Sequence, residues 1–141
     1  MHPTAIHRRL PRAGHDPIDE PATALATISS VMRRPLRPET ILLLLDGDRC
    51  GRTIVTVSGT VDPDSAIEIV EFVTQGIGCE HLGALVVASI RPAGGSTPDD
   101  VDRWLEMSEI ASLAGVELLE WFVIGRTVSC PRDRLGEAPR W

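Results

Sequence analysis

Three short apolar segments, residues 40–45, 84–88 and 116–124, constrain how this chain can fold. The first two contain no charged residue, and two glutamates interrupt the third. Each is too short to cross a membrane as a helix, which takes about 20 apolar residues. Continuous rather than alternating apolar character is typical of a strand that is covered on both faces. The sequence therefore predicts a central sheet with helices on both sides.

Amphipathic segments lie between these strands. Asp62 and Pro63 predict the start of a helix, and Thr97 predicts the cap of a second helix over 98–114. The β-branched segment 53–57 is expected to pair with the first strand as a hairpin, and Val128 is expected to begin a short edge strand. The order β-β-α-β-loop-α-β predicts an α/β fold, a single domain with a mixed sheet flanked by helices.

Composition divides the chain into three parts. Residues 1–37 carry six arginines and three acids, and prolines and glycine break residues 1–20, so we expect a flexible basic arm with a short helix over 21–33. Residues 38–131 form the expected domain, and 132–141 a C-terminal tail. The body from residue 38 carries eight arginines against seventeen acids, which argues against a surface that follows nucleic-acid phosphates. The basic arm remains a candidate for such contacts.

Composition also bears on cofactors and location. The three cysteines are scattered and odd in number, which predicts reduced thiols and neither a disulfide framework nor a structural metal site. The N-terminus shows no signal-peptide pattern, so we expect a cytoplasmic protein without a membrane contact. We expect no metal and no cofactor.

The loop after the second apolar strand carries the most specific motif. The segment 84–92 (ALVVASIRP), followed by Gly94, Pro98 and Asp102, is similar to the core of the JAB/MPN family, above all its RadC-like branch. In that family the strand ends in a His-x-His-Pro-Ser-Gly loop, and Pro-Ser-x-x-Asp follows at a helix start. The resemblance extends over roughly residues 39–130, through 45–46, 59–62 and 115–125.

The resemblance implies a layered fold of the cytidine-deaminase type and a particular chemistry. In the family the two histidines and the aspartate hold zinc, and an upstream glutamate acts through the metal-bound water. Here Ser89 and Arg91 stand in place of the histidines, and Asp99 replaces the serine. Asp102 has the spacing of the third ligand. Trp121 falls near a downstream family histidine.

Glu39 is the nearest candidate for the upstream glutamate, one residue away from the expected position. A shift of one residue along a strand reverses the face to which a side chain points. A catalytic zinc needs about three protein ligands, and a guanidinium has no lone pair to offer. The sequence therefore predicts that the hydrolytic site is lost.

Two interpretations of the loop remain open. Arg91 could pair with Asp102 in a salt bridge that takes the place of the metal. Alternatively, Arg91 and the Gly94–Gly95 backbone could receive an anion at the helix N-terminus. We expect a non-catalytic JAB/MPN-like domain that serves as an interaction or scaffold module, with an unknown protein partner or a second copy. The alternatives are a metal-free enzyme site built from Ser89, Arg91, Ser96 and Asp102, and an accessory role in DNA repair by analogy with the RadC-like branch.

Overall fold

A computed structural model describes residues 9–76 and 81–141. It contains three α-helices, five strands and a 3₁₀ helix. In chain order they are α1 Pro21–Ser29, β1 Glu39–Leu45, β2 Gly51–Ser58, α2 Ser65–Gly76, β3 Ala84–Ile90, α3 Asp100–Leu113, β4 Glu117–Ile124, β5 Val128–Ser129 and the 3₁₀ helix Pro131–Leu135. None of the described helices is both long and apolar enough to cross a membrane.

The strands form one mixed sheet in the order β2-β1-β3-β4-β5. β1 runs antiparallel to both β2 and β3, whereas β3 and β4 are parallel. A parallel pair needs a long crossover connection, which α3 supplies. β5 pairs only with Val123 and Ile124. The predicted α/β fold with a single mixed sheet is confirmed.

Alternation along β1 shows how the sheet is covered. Leu42 and Leu44 pack with α2 and α3 on what we call the helix-pair face. Ile41, Leu43 and Leu45 pack with α1 on the opposite α1 face. All seven residues of β1 are buried, so this strand is covered on both faces, as its continuous apolar character predicts.

The described part of the N-terminal region differs from the expected flexible arm. α1 begins at Pro21 as predicted and ends at Ser29, four residues before the predicted end. Ala24, Ile28 and the preceding Ile18 are buried in the core of the α1 face. The Ile18 N–H donates to the Arg49 carbonyl at 2.8 Å. Residues 1–8 of the expected arm lie outside the described residues.

The C-terminal segment folds back over the sheet. The Arg140 Nη1 donates to the Leu118 carbonyl at 2.9 Å, and the guanidinium lies 4.4 Å from the centre of the Trp104 ring. Trp141 packs against the apolar core of the α1 face. The last residues therefore cover the part of the β4 edge that the two-residue β5 leaves open.

We predict that α1 contributes to the stability of the whole domain. Ile28 is completely buried, and shortening such a side chain to alanine costs about 2–5 kcal/mol of unfolding free energy. Ile28→Ala should therefore destabilise the chain by that amount in urea denaturation. Val31→Ala is the control, because Val31 is 39% exposed, and it should cost less than about 1 kcal/mol. Equal, small effects of the two changes would show that α1 is dispensable.

Candidate functional site

The candidate site begins at the end of β3, which continues through Ser89 and Ile90, two residues beyond the predicted strand. The Arg91 N–H then donates to the Ile124 carbonyl at 2.7 Å, which holds the start of the loop against β4. Ser89 is buried, and its Oγ accepts a hydrogen bond of 2.9 Å from the indole Nε1 of Trp121. The serine and the tryptophan thus satisfy each other inside the core.

Arg91 makes a bidentate ion pair with Asp100. Its Nη1 donates to Oδ2 at 2.6 Å and its Nη2 to Oδ1 at 3.0 Å. The same Nη1 also donates to the Gly95 carbonyl at 3.3 Å, and the guanidinium lies 5.6 Å from the centre of the Trp121 ring. The Arg91 side chain is only 18% exposed. A paired fork of this kind is among the stronger hydrogen-bonding arrangements in proteins.

Asp100 is the centre of a larger set of ion pairs. Its carboxylate also accepts the Thr97 N–H at 2.7 Å and the Arg103 Nη1 at 2.9 Å. The Nε of Arg103 donates in turn to Asp64, just before α2, at 2.7 Å. We call Arg91, Asp100, Arg103 and Asp64 the arginine–aspartate network. It joins the end of β3 to the starts of α3 and α2.

The interpretation in which Arg91 pairs with Asp102 is wrong, because its partner is Asp100. Asp102 is exposed, whereas Asp100 is completely buried. The reason is the phase of α3, whose inward stripe consists of Asp100, Trp104, Met107 and Ala111. Two residues along a helix rotate a side chain by about 200°, so Asp102 points away from the sheet. The three- and four-residue spacing of Asp100 to the apolar stripe is the sequence signal that could have identified it.

The remaining predicted residues are divided among different surroundings. Asp99 is exposed and occupies the N-cap position that was predicted for Thr97, but its side chain makes no capping hydrogen bond. Instead, the Asp100 carboxylate binds the free N–H of Thr97. The Ser96 Oγ is buried and has no hydrogen-bond partner within the described residues. Neither Asp99 nor Ser96 joins the network.

Glu39 lies on the other side of the sheet. It has the same alternation as Ile41 and Leu43, which pack on the α1 face, and its Oε2 accepts the Arg33 N–H at 3.2 Å. Ser89 has the same alternation along β3 as Leu85 and Val87, which pack on the helix-pair face. The one-residue offset noted in the sequence therefore separates Glu39 from Ser89 and Arg91.

The zinc that the family resemblance implies does not fit these residues. Ser89 accepts a hydrogen bond from Trp121, Arg91 is a cation bound to a carboxylate, and Asp102 points outward. A zinc site requires several converging lone-pair donors. The cationic groups of Arg91 and Arg103 lie against the one carboxylate that is buried here. The donor set is therefore that of an internal ion pair.

The pKa of Asp100 reflects this arrangement. Burial alone would raise it, but hydrogen bonds from the Arg91 side chain, the Thr97 N–H and the Arg103 side chain outweigh burial. Together they lower the pKa of Asp100 from its ordinary 3.8 to about 2. The carboxylate is therefore held in its charged form, the form that an ion pair needs and a general acid does not.

A small cavity lies beside Ser89 and Arg91. Its volume is about 20 Å³, and its lining includes Thr40, Thr60 and Asp62. Such a space holds about one water molecule, whereas ligand pockets are usually more than ten times larger. Asp100 does not line it. An enzyme site is typically an open pocket that contains a carboxylate of shifted pKa, and this cavity does not have that form.

The described cysteines lie in surroundings that suppress thiolate formation. Burial, helped by the charge of Glu120, raises the pKa of the Cys130 thiol to about 12. Burial and the charge of Asp46 raise the pKa of the Cys50 thiol as well. The thiolate is the nucleophilic form of cysteine, so both thiols are poor nucleophiles. Cys79 lies outside the described residues.

No protein-family model matches the chain, and no curated protein matches its sequence. The functional proposal therefore depends on the residues and contacts of this chain.

We predict strong energetic coupling between Arg91 and Asp100. Removing one member of a covered ion pair leaves the other charge unpaired, at a cost of about 3–5 kcal/mol. Arg91→Ala and Asp100→Ala should each lower the unfolding free energy by this order. The double variant should lose much less than their sum. Asp102→Ala is the matched control on the same helix, and it should cost less than about 1 kcal/mol. Additive losses would contradict a structural role for the pair.

We further predict an acid-sensitive contribution from Asp100. Because folding lowers its pKa, the carboxylate stabilises the fold above pH 3.8, and the contribution disappears as the pH falls towards 2. Its size is on the order of 2 kcal/mol. The unfolding free energy of Asp100→Asn should therefore fall less steeply across this interval than that of the wild type. Asp102→Asn, at an exposed position, should keep the wild-type slope. A wild-type slope in Asp100→Asn would show that the ion pair is not formed.

Proposed function

We propose that this chain is a non-catalytic domain of the JAB/MPN type that acts as an interaction or scaffold module. The observation that carries the proposal is the buried pair of Arg91 and Asp100. It lies at the strand-to-helix loop where the resemblance would put a zinc site. A buried salt bridge keeps such a loop folded without any metal, because the guanidinium supplies the positive charge.

The polar side chains of Ser89 and Arg91 are already hydrogen-bonded within the protein, which supports this proposal over a ligand-binding or metal-free enzymatic role. Arg91 donates to Asp100 and Gly95, and Ser89 is bonded to Trp121. An anion at this loop would have to break the bidentate pair and would meet the exposed Asp99 nearby. The scattered cysteines fit a reducing compartment, so we place the proposed module in the cytoplasm.

The proposal predicts that the loop does not hold zinc. The test uses a His2→Ala/His7→Ala variant, which removes two histidines of the N-terminal region that could chelate the metal. After dialysis against trace zinc, elemental analysis should give well under one zinc per chain. Addition of a chelator should leave the thermal midpoint unchanged, because only a bound ligand stabilises the native state. One tightly held zinc per chain, lost on Asp102→Ala, would overturn the proposal.

A further inference from the structure

The free edge of β2 is the most prominent unpartnered feature of the sheet. β2 is the outermost strand, is eight residues long, and contains no proline and one charged residue, Arg52. Among the described residues, the N-terminal segment pairs with the beginning of this edge, where Pro17 bridges Cys50 and the Gly14 N–H donates to the Gly51 carbonyl at 3.1 Å. From Thr53 to Ser58, no other strand of the described chain pairs with this edge.

The register shows which backbone groups point outward. The Gly59 N–H donates to the Pro38 carbonyl at 2.9 Å, directly opposite in the β1–β2 ladder. In an antiparallel pair, hydrogen-bonded and non-hydrogen-bonded positions alternate. The backbone groups of Thr53, Val55 and Val57 therefore form hydrogen bonds with β1. The N–H and C=O groups of Ile54, Thr56 and Ser58 face outward.

An edge of this kind pairs readily with another strand. Proteins usually protect edges with prolines, inward-pointing charges, bulges or covering segments. The bulge of β2 and Arg52 lie at its first end, beside the covered part, and the five residues that follow Arg52 are β-branched. The opposite edge of the sheet, by contrast, is covered by β5 and by Arg140.

We propose that a second copy of this chain pairs with β2, antiparallel and about a twofold axis, so that the two sheets become continuous. This inference rests on the proposed interaction role and names its partner. Each copy offers the same free window, bounded by the covered Gly51 at one end and by the turn at Gly59 at the other. The middle of that window lies at Val55 and Thr56.

Cross-strand chemistry selects Thr56 as the centre of the pairing. This register places Ile54 opposite Ser58 of the other copy and Thr56 opposite itself, which gives about six backbone hydrogen bonds between the chains. It also sets Val55 against Val57 twice on the helix-pair face. Apolar β-branched pairs and threonine pairs stabilise sheets. Centring on Val55 gives about four such bonds, from the two pairs of Ile54 with Thr56, and further bonds would require Arg52 at the bulge to take part.

The charge of β2 itself is compatible with a second copy as the occupant. In the Thr56-centred register, Arg52 lies opposite Thr60 of the other copy, so the paired strand residues themselves set no two like charges opposite each other. A pairing of about six residues makes a small interface. We therefore expect a concentration-dependent dimer with a dissociation constant in the micromolar range.

Sedimentation equilibrium of the full chain tests the proposal. The apparent mass should rise towards twice that of one chain as the concentration increases. Thr56→Pro removes an outward N–H without removing a bond to β1, and it should weaken dimerisation at least tenfold. Thr56→Val is the matched control, because it keeps the backbone donor and the β-branched shape, and it should dimerise like the wild type. A dimer that persists unchanged in Thr56→Pro would overturn the proposal.

A cysteine variant tests the register independently of folding effects of proline. Under oxidation Thr56→Cys should form a disulfide-linked dimer, because its two copies lie opposite each other within bonding distance. Thr53→Cys should not, since its copies are about 20 Å apart in this register. A chain that is monomeric at every concentration and does not cross-link at residue 56 overturns the inference. The zinc test still decides the proposed non-catalytic role, so the two failures are distinguishable.

Discussion

The structure around the strand-to-helix loop depends on the burial of one carboxylate. Asp100 has no exposed surface, and an ionised carboxylate inside a protein is costly unless cations and donors surround it. Arg91, Arg103 and the Thr97 N–H supply them. Because these donors come from three separate positions in the chain, satisfying one charge fixes β3, the loop and α3 relative to one another.

Under the proposed JAB/MPN relationship, this arrangement would let the loop keep its fold without a metal. A zinc ion would draw the strand end and the helix start together through several ligands. Here the guanidinium of Arg91 joins the same two elements through two hydrogen bonds, and the Trp121 ring lies beside it. This salt bridge organises the loop, but the guanidinium and the carboxylate bind each other rather than a substrate.

The two edges of the sheet differ in how far the rest of the chain covers them, and this difference supports the proposed interaction role. At β4 the chain returns to cover its own edge, through β5 and the Arg140 side chain. At β2, the described part of the chain pairs with the beginning of the strand and leaves the rest of its outer edge without a strand partner. Backbone groups along a sheet edge seek partners, so the uncovered half of β2 is the natural place for another chain to add.

The sequence by itself determined the sheet and the element order, because apolar runs are local properties. It also shows Ser89 and Arg91 where the JAB/MPN resemblance would put histidines. These two residues are two positions apart, so that both side chains point to the same side of an extended strand. The one-residue offset of Glu39 likewise indicated that its side chain points to the opposite face. Only the tertiary structure decided that Asp100 rather than Asp102 meets Arg91, and that Ile18 belongs to the core. The first depends on the rotation of α3 against the sheet, and the second on pairing with a distant strand. Contacts between segments far apart in sequence decide both, and no local pattern contains them.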